Sequence, residues 1–410
     1  METNTFVVSL YTYPWDLTHE GLEVSLDRIA NLAACDEVLL TPCYHRSEYF
    51  LPHNPRHPVY FGENGAVYFA PDLSRFGKTR IRPRVSREVT DDGYFDRIVE
   101  AIDRSGLQFA AWMVYTYQNY LSEQYPEFAK HDAFGTPYVG QLSTAPQDVR
   151  EYFLALTAQV VERYRPSAVW VESLMRRGFP MPGKRRAEIP LRCRFLLSLC
   201  FNPASMACAD AEGLEAMPFR SNVADWMRPR LAKGADPVFD EPVTDAWIAD
   251  AFEGRLERYL AISRKQTTDL WLEVAEVIRG GGAKLQTDLA DSERALSNDL
   301  DPLINTRIDR LSYSPRPDEE ATLRVAELRQ QIAAGGTVFF RSGGDLSTVA
   351  AAREKLDAAR RAGAEGITFA NYGLLTEGQL GNIGQAVRSS LIGMGGVTAP
   401  HREQERKEER

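Results

Sequence analysis

Apolar and polar positions along the 410-residue chain follow two alternating periods. Short β-rich apolar runs are followed by longer stretches with apolar residues three and four apart, and the pair recurs along most of the chain. The pattern predicts strands at Phe6–Tyr13, Val38–Cys43, Phe109–Tyr117, Ala168–Glu172, Ala283–Asp288, Ile308–Ser314, Thr337–Arg341 and Gly366–Asn371. It predicts helices at Leu22–Ala34, Tyr94–Ser105, Val149–Tyr164, Asp245–Ile278 and Glu377–Ile392, one before each of the last three strands, and a long Pro-rich, aromatic loop over Tyr44–Thr90.

Eight strand-helix pairs in series, with nearly all-apolar strands and no two-residue hairpin turns, describe a parallel sheet covered by helices. Eight pairs close a (β/α)8 TIM barrel, an α/β fold. A doubly wound open sheet competes, but it requires a Gly-rich turn after the first strand, where this chain reads Pro14-Trp15-Asp16-Leu17. The expected organisation is a single barrel domain over residues 1–398. An insertion over 174–243 after the fourth strand serves as a lid or as side-packed helices, and 399–410 form a charged, disordered tail.

Composition narrows the class. With 44% apolar and 26% charged residues the chain is globular. Its 48 basic and 57 acidic residues leave a net charge of -9, so no global positive field draws nucleic acid or anionic lipid. No stretch approaches the roughly 18 consecutive apolar residues of a membrane span, and Met1–Thr5 has no secretory character, so the expected location is cytoplasmic. Five cysteines, Cys35, Cys43, Cys193, Cys200 and Cys208, are odd in number and widely spaced, which suits reduced thiols and gives a zinc hook little support.

In this fold chemistry sits where the strands end. The strand ends supply Trp15, Asp16, Tyr44, His45, Trp112, Tyr115, Tyr117, Tyr313, Arg341, Asn371 and Tyr372. Flat aromatic faces among a few directional polar groups suit a neutral polyhydroxylated ligand, so these residues are the expected substrate-binding set. Glu172, directly after Ala168-Val169-Trp170-Val171, is the sharpest candidate for catalysis, because a carboxylate on a rigid strand can attack or polarise a bound substrate. Its other reading is an ion pair with Arg176 or Arg177. Asp288, one strand on, is the candidate partner carboxyl, with a helix cap as its other reading. Histidines and carboxylates do not converge from several strand ends, so no metal and no cofactor are expected.

Several stretches resemble the glycoside hydrolase-like TIM barrels related to α-fucosidase-type and family-10-like glycosidases. Tyr125-Pro126-Glu127-Phe128, Asp132-Ala133-Phe134-Gly135 and Ala145–Tyr152 are similar to their segment between strands three and four. Val169-Trp170-Val171-Glu172 is similar to their fourth-strand acidic position, and Gly366–Gly373 to their last strand. In the α-fucosidase-like barrels the residue after the fourth strand is an Asp nucleophile, whereas Glu172 here is one methylene longer. Relatives with close-set cysteines after a Leu-Ser-Leu-Cys stretch differ from this chain, which has Phe201-Asn202 and then only Cys208. The resemblance implies a glycosidase acting on a carbohydrate or glycoconjugate, with Glu172 as nucleophile or charge stabiliser and Asp288, or else Asp16, as proton donor. A non-catalytic carbohydrate-binding barrel is the second reading and a metal-dependent sugar isomerase or epimerase the third. Oligomeric state is not legible.

Overall fold

The computed structural model describes residues 6–46, 48–175, 178–180, 186–235, 241–288, 301–315 and 320–392. The expected tail and the candidate partners Arg176 and Arg177 lie outside the described residues.

Eight parallel strands form the centre: β1 (Val7–Thr12), β2 (Glu37–Tyr44), β3 (Gln108–Val114), β4 (Ala168–Glu172), β5 (Lys284–Asp288), β6 (Arg310–Tyr313), β7 (Thr337–Ser342) and β8 (Gly366–Phe369). Each pairs with the next in parallel, and β1 pairs with both β2 and β8, which closes the sheet into a barrel. All eight residues of β2 are buried, as both faces of a barrel strand must be once helices cover the outside.

Period two sorts each strand into lumen and outer faces. Ser9 and Tyr11, Trp170 and Glu172, Gln286 and Asp288, and Phe339 and Arg341 each lie two apart on one strand, so the lumen is built in layers. The floor is polar. Arg310 on β6 crosses to Glu37 on the opposite strand β2, its Nη1 lying 2.7 and 2.9 Å from the two carboxylate oxygens. Ser9 Oγ donates to Glu37 at 2.7 Å, Gln286 Nε2 donates to Ser312 Oγ at 2.9 Å, and the Arg310 guanidinium lies 4.2 Å over the Phe339 ring. Above this layer the Tyr11 ring meets Trp112 at 5.1 Å and Trp170 at 4.9 Å, filling the middle of the barrel.

The described helices depart from the sequence pattern at several places: an unexpected helix, Pro14–Glu20, directly follows β1, and the stretch before β6, Pro302–Arg307, is a 3-10 helix. The helix expected over Leu22–Ala34 runs from Leu22 to Leu32 and finishes in a π-helical turn, with Ala34 left-handed at φ 54°. The long helix expected over Asp245–Ile278 is two, Asp245–Asp250 and Arg255–Gly280. Between them Phe252, Glu253 and Gly254 take φ of 56°, 61° and 76°, which turns the Phe252 ring onto Phe219 at 5.7 Å. Phe201, Phe219, Met227 and Tyr259 belong with it to a second apolar cluster, drawn from the insertion and the start of the Arg255–Gly280 helix.

The loop over Tyr44–Thr90 contains a hairpin, Glu48–Phe50 against Val59–Phe61, that alternation over three residues is too short to reveal. Tyr49 and Tyr60 stand opposite each other in it and pack inward, while Phe50, Val59 and Phe61 face solvent. A second hairpin, Ala129–His131 against Pro137–Leu142, follows β3. No described helix is long and apolar enough to cross a membrane.

Candidate active site

Glu172 and Asp288 end neighbouring strands. Trp170 pairs with Gln286, so two residues on, with the same faces inward, Glu172 comes beside Asp288. The backbone holds Glu172 firmly: its carbonyl accepts from Tyr115 N at 2.9 Å, and Ser173 turns left-handed at φ 61°. Thr116 Oγ1 donates to Ser173 O and, at 3.0 Å, to Met175 O. A left-handed serine costs about 1 kcal/mol or more, and such strain gathers at functional sites.

The two carboxylates differ in company. Trp112 Nε1 donates to Glu172 Oε2. Asp288 takes the Arg341 guanidinium at 3.3 Å, and Arg341 Nε donates to Ser314 Oγ at 3.2 Å. The guanidinium also lies 5.8 Å from the Trp170 ring centre. Burial opposes its charge, but Asp288, Tyr11 and Glu172 together hold its pKa above the ordinary value. Trp112 and Trp170 stack at 5.5 Å beneath these charges. Tyr44 meets Trp112 edge-on at 5.1 Å and shares Tyr13 with the hairpin, for Tyr13 OH bonds to Tyr44 OH at 3.0 Å and to Tyr49 OH at 2.8 Å. Beside them His45 stacks on Tyr117 at 4.1 Å. At the end of β8, the buried Nδ2 of Asn371 has no acceptor among the described residues.

The remaining expected site residues lie elsewhere. Tyr115 and Tyr313 fall on the outer faces of β3 and β6. Tyr115 OH bonds to Thr157 Oγ1 at 3.0 Å, and the Tyr313 ring packs on Phe340 at 5.5 Å. The reason is period two: each is one residue out of phase with the inward Trp112 and Arg310. Trp15 is fully buried between Tyr13, stacked at 4.4 Å, and Tyr60 at 5.0 Å. Asp16 is fully buried and accepts from the backbone N–H of Tyr13 at 3.0 Å; burial, the largest cause, raises its pKa to about 7, and the Gly373 backbone N–H partly offsets the rise. Any Cβ at position 373 would collide with Asp16 Oδ1 at 2.2 Å, so the close approach requires glycine. Tyr372 is buried too and donates to Glu20 Oε2 at 2.8 Å. Glu20 meets His53 Nδ1 at 2.8 Å, a contact that ties the hairpin loop to the barrel. This group packs the loop down and does not line the space between Glu172 and Asp288.

Sequence reasoning missed Tyr11, Tyr49 and Trp170. Trp170 and Tyr11 carry a signal, their inward phase two residues below a polar strand end; Tyr49 carries none, because its place depends on a loop. Among the described residues no group of three or more His, Cys, Asp or Glu side chains is arranged to hold a metal ion.

No family model matches the chain, and no curated protein matches it. Solved structures do. The α-L-fucosidase isoenzyme 2 from Paenibacillus thiaminolyticus aligns at a TM-score of 0.57 with 11% identity, over 94% of this chain and 49% of that one. What is shared is the fold, a closed eight-stranded TIM barrel. The β-galactosidase from the psychrophilic Marinomonas ef1 aligns at 0.53 with 11% identity, over 95% of this chain and 60% of that one. The catalytic domain of β-amylase from Paenibacillus polymyxa aligns at 0.52 with 11% identity, over 94% and 99% of the two chains. The chain thus spans about half of the fucosidase and three-fifths of the galactosidase, and at this identity the likeness is one of fold.

Proposed function

We propose that the protein is a glycoside hydrolase-like enzyme that cleaves a glycosidic bond in a carbohydrate or glycoconjugate by paired carboxylates. One observation carries the reading: Glu172 and Asp288 end adjacent barrel strands above a stacked indole pair, with Arg341 in contact with Asp288. Aromatic faces hold a sugar ring, and the two carboxyls divide proton transfer and charge stabilisation around an oxocarbenium-like transition state.

Which carboxyl does which follows from their neighbours. Asp288, in contact with the Arg341 guanidinium, serves as the charged member and Glu172 as the proton carrier. That is the reverse of the order that the resemblance implies. Neighbouring strands lie roughly 4.8 Å apart, so the register supports a separation nearer the roughly 5 to 5.5 Å of retaining enzymes than the wider gap of inverting ones. Trp112, Tyr44, His45, Tyr117 and Asn371 would contact the substrate.

The test is a screen of nitrophenyl glycosides of both anomers against wild type and Glu172→Gln. Turnover by wild type with loss in the variant is the expected result, and NMR of the first-formed anomer reads retention or inversion. Sugar binding without turnover of any glycoside would replace this reading with the carbohydrate-binding barrel.

A further inference from the structure

Tyr11 is a buried polar residue near the barrel mouth. It faces inward on β1, 5% exposed, with its ring against Trp112 and Trp170. A phenylalanine would make those ring contacts equally well. The hydroxyl is instead near enough to Arg341, Asp288 and Glu172 for all three to act on its charge. No described residue accepts the phenolic proton. Buried hydroxyls nearly always have a partner, so this one keeps a donor that a water or a ligand can take up. Beside it the Arg341 and Asp288 side chains reach solvent, 34% and 36% exposed. Burial pushes the phenol's pKa well above its ordinary value, so it stays a neutral donor.

We infer that Tyr11 is a substrate-contacting, specificity-determining hydrogen-bond donor, its O–H given to a sugar oxygen seated over Trp170 beside Glu172 and Asp288. The inference rests on the glycosidase-like reading for the class of ligand and not for the donor itself. A site that directs a buried donor at one substrate oxygen rejects the deoxy analogue of that substrate, because the donor is then left unpaired.

The experiment compares full-length wild type, Tyr11→Phe and Glu172→Gln by calorimetric titration with galactose, glucose and fucose, by turnover of nitrophenyl glycosides and by thermal melting. Tyr11→Phe is expected to weaken the sugar that wild type binds about tenfold, the loss of one neutral hydrogen bond, with Tm unchanged or raised because no internal bond is broken. Unchanged affinity and kcat/KM in Tyr11→Phe overturn the inference. A fall in Tm in parallel with affinity overturns it too, since the hydroxyl would then serve the fold. If wild type turns over no glycoside and Tyr11→Phe still weakens sugar binding, the donor stands and the catalytic reading falls. If wild type neither binds a sugar of the set nor turns over a glycoside, both fall.

Discussion

Among the described residues two arginine–carboxylate pairs face the barrel lumen, one at the floor and one at the mouth, and they are built differently. At the floor Arg310 and Glu37 are 5% and 1% exposed, in contact across the lumen at 2.7 Å, with Ser9 and Ser167 also turned to the carboxylate. At the mouth Arg341 and Asp288 are about a third exposed, meet at 3.3 Å, and share their space with Glu172, Trp170 and Tyr11. The floor pair is enclosed by groups that lock its geometry, so its role is to let two charges share a closed core. The mouth pair keeps one side toward solvent, and that open side is where a ligand can change the balance of charge. The difference lies in the surroundings, since the ion chemistry is the same.

The comparison can be tested from the largest effect to the smallest. Glu172→Gln, next to the mouth pair, should lower turnover by roughly a thousandfold or more, about 4 kcal/mol of transition-state stabilisation, while sugar still binds. Normal turnover in this variant would remove Glu172 from the mechanism. Glu37→Gln should cost about 3 to 5 kcal/mol of unfolding free energy in urea, because it leaves the Arg310 charge buried without its counter-ion. A loss under about 1 kcal/mol would show that the floor reaches water.

Asp16 sharpens the contrast, being as buried as Glu37 but held by backbone N–H groups rather than a guanidinium. Its folded pKa of about 7 lies above the ordinary 3.8, so between these values the folded chain keeps a proton that the unfolded chain has lost. Stability should therefore fall as pH rises across that window, with a slope of up to about 1.4 kcal/mol per pH unit, and level off above it. Asp16→Asn should flatten the slope measured in urea titrations from pH 4 to 7. An unaltered slope would mean that Asp16 ionises like an exposed carboxyl. The smallest effect is expected at the mouth itself: Asp288→Asn should change stability by less than about 1 kcal/mol, as half-exposed ion pairs do, while turnover falls. A stability loss equal to that of Glu37→Gln would erase the distinction between the two pairs.

The pattern of apolar runs places all eight strands, because a barrel strand buried on both sides must be apolar and its length is set by the layer it crosses. Chain direction then places the mouth, which is why the positions of Glu172, Asp288, Arg341, Trp112 and Tyr44 at or near the strand ends are legible without coordinates. Tyr115 and Tyr313 show the limit of reading strand ends without phase, since a one-residue step moves a side chain from lumen to outer face. The break at Phe252–Gly254 escaped because helical periodicity continues on both sides of it.

The floor pair was illegible for a different reason. Glu37 and Arg310 sit at the edges of their apolar runs, where charged residues normally meet water, and they are 273 positions apart. Strand type, strand order and polarity are local or sequential properties, so the amino-acid order settles them through backbone sterics and the burial of apolar surface. Which charges meet across the lumen, that Tyr49 closes on Tyr13, and that the Tyr11 proton has no described acceptor depend on closure of the sheet. Closure brings distant residues within a few ångströms, and no local preference encodes that distance.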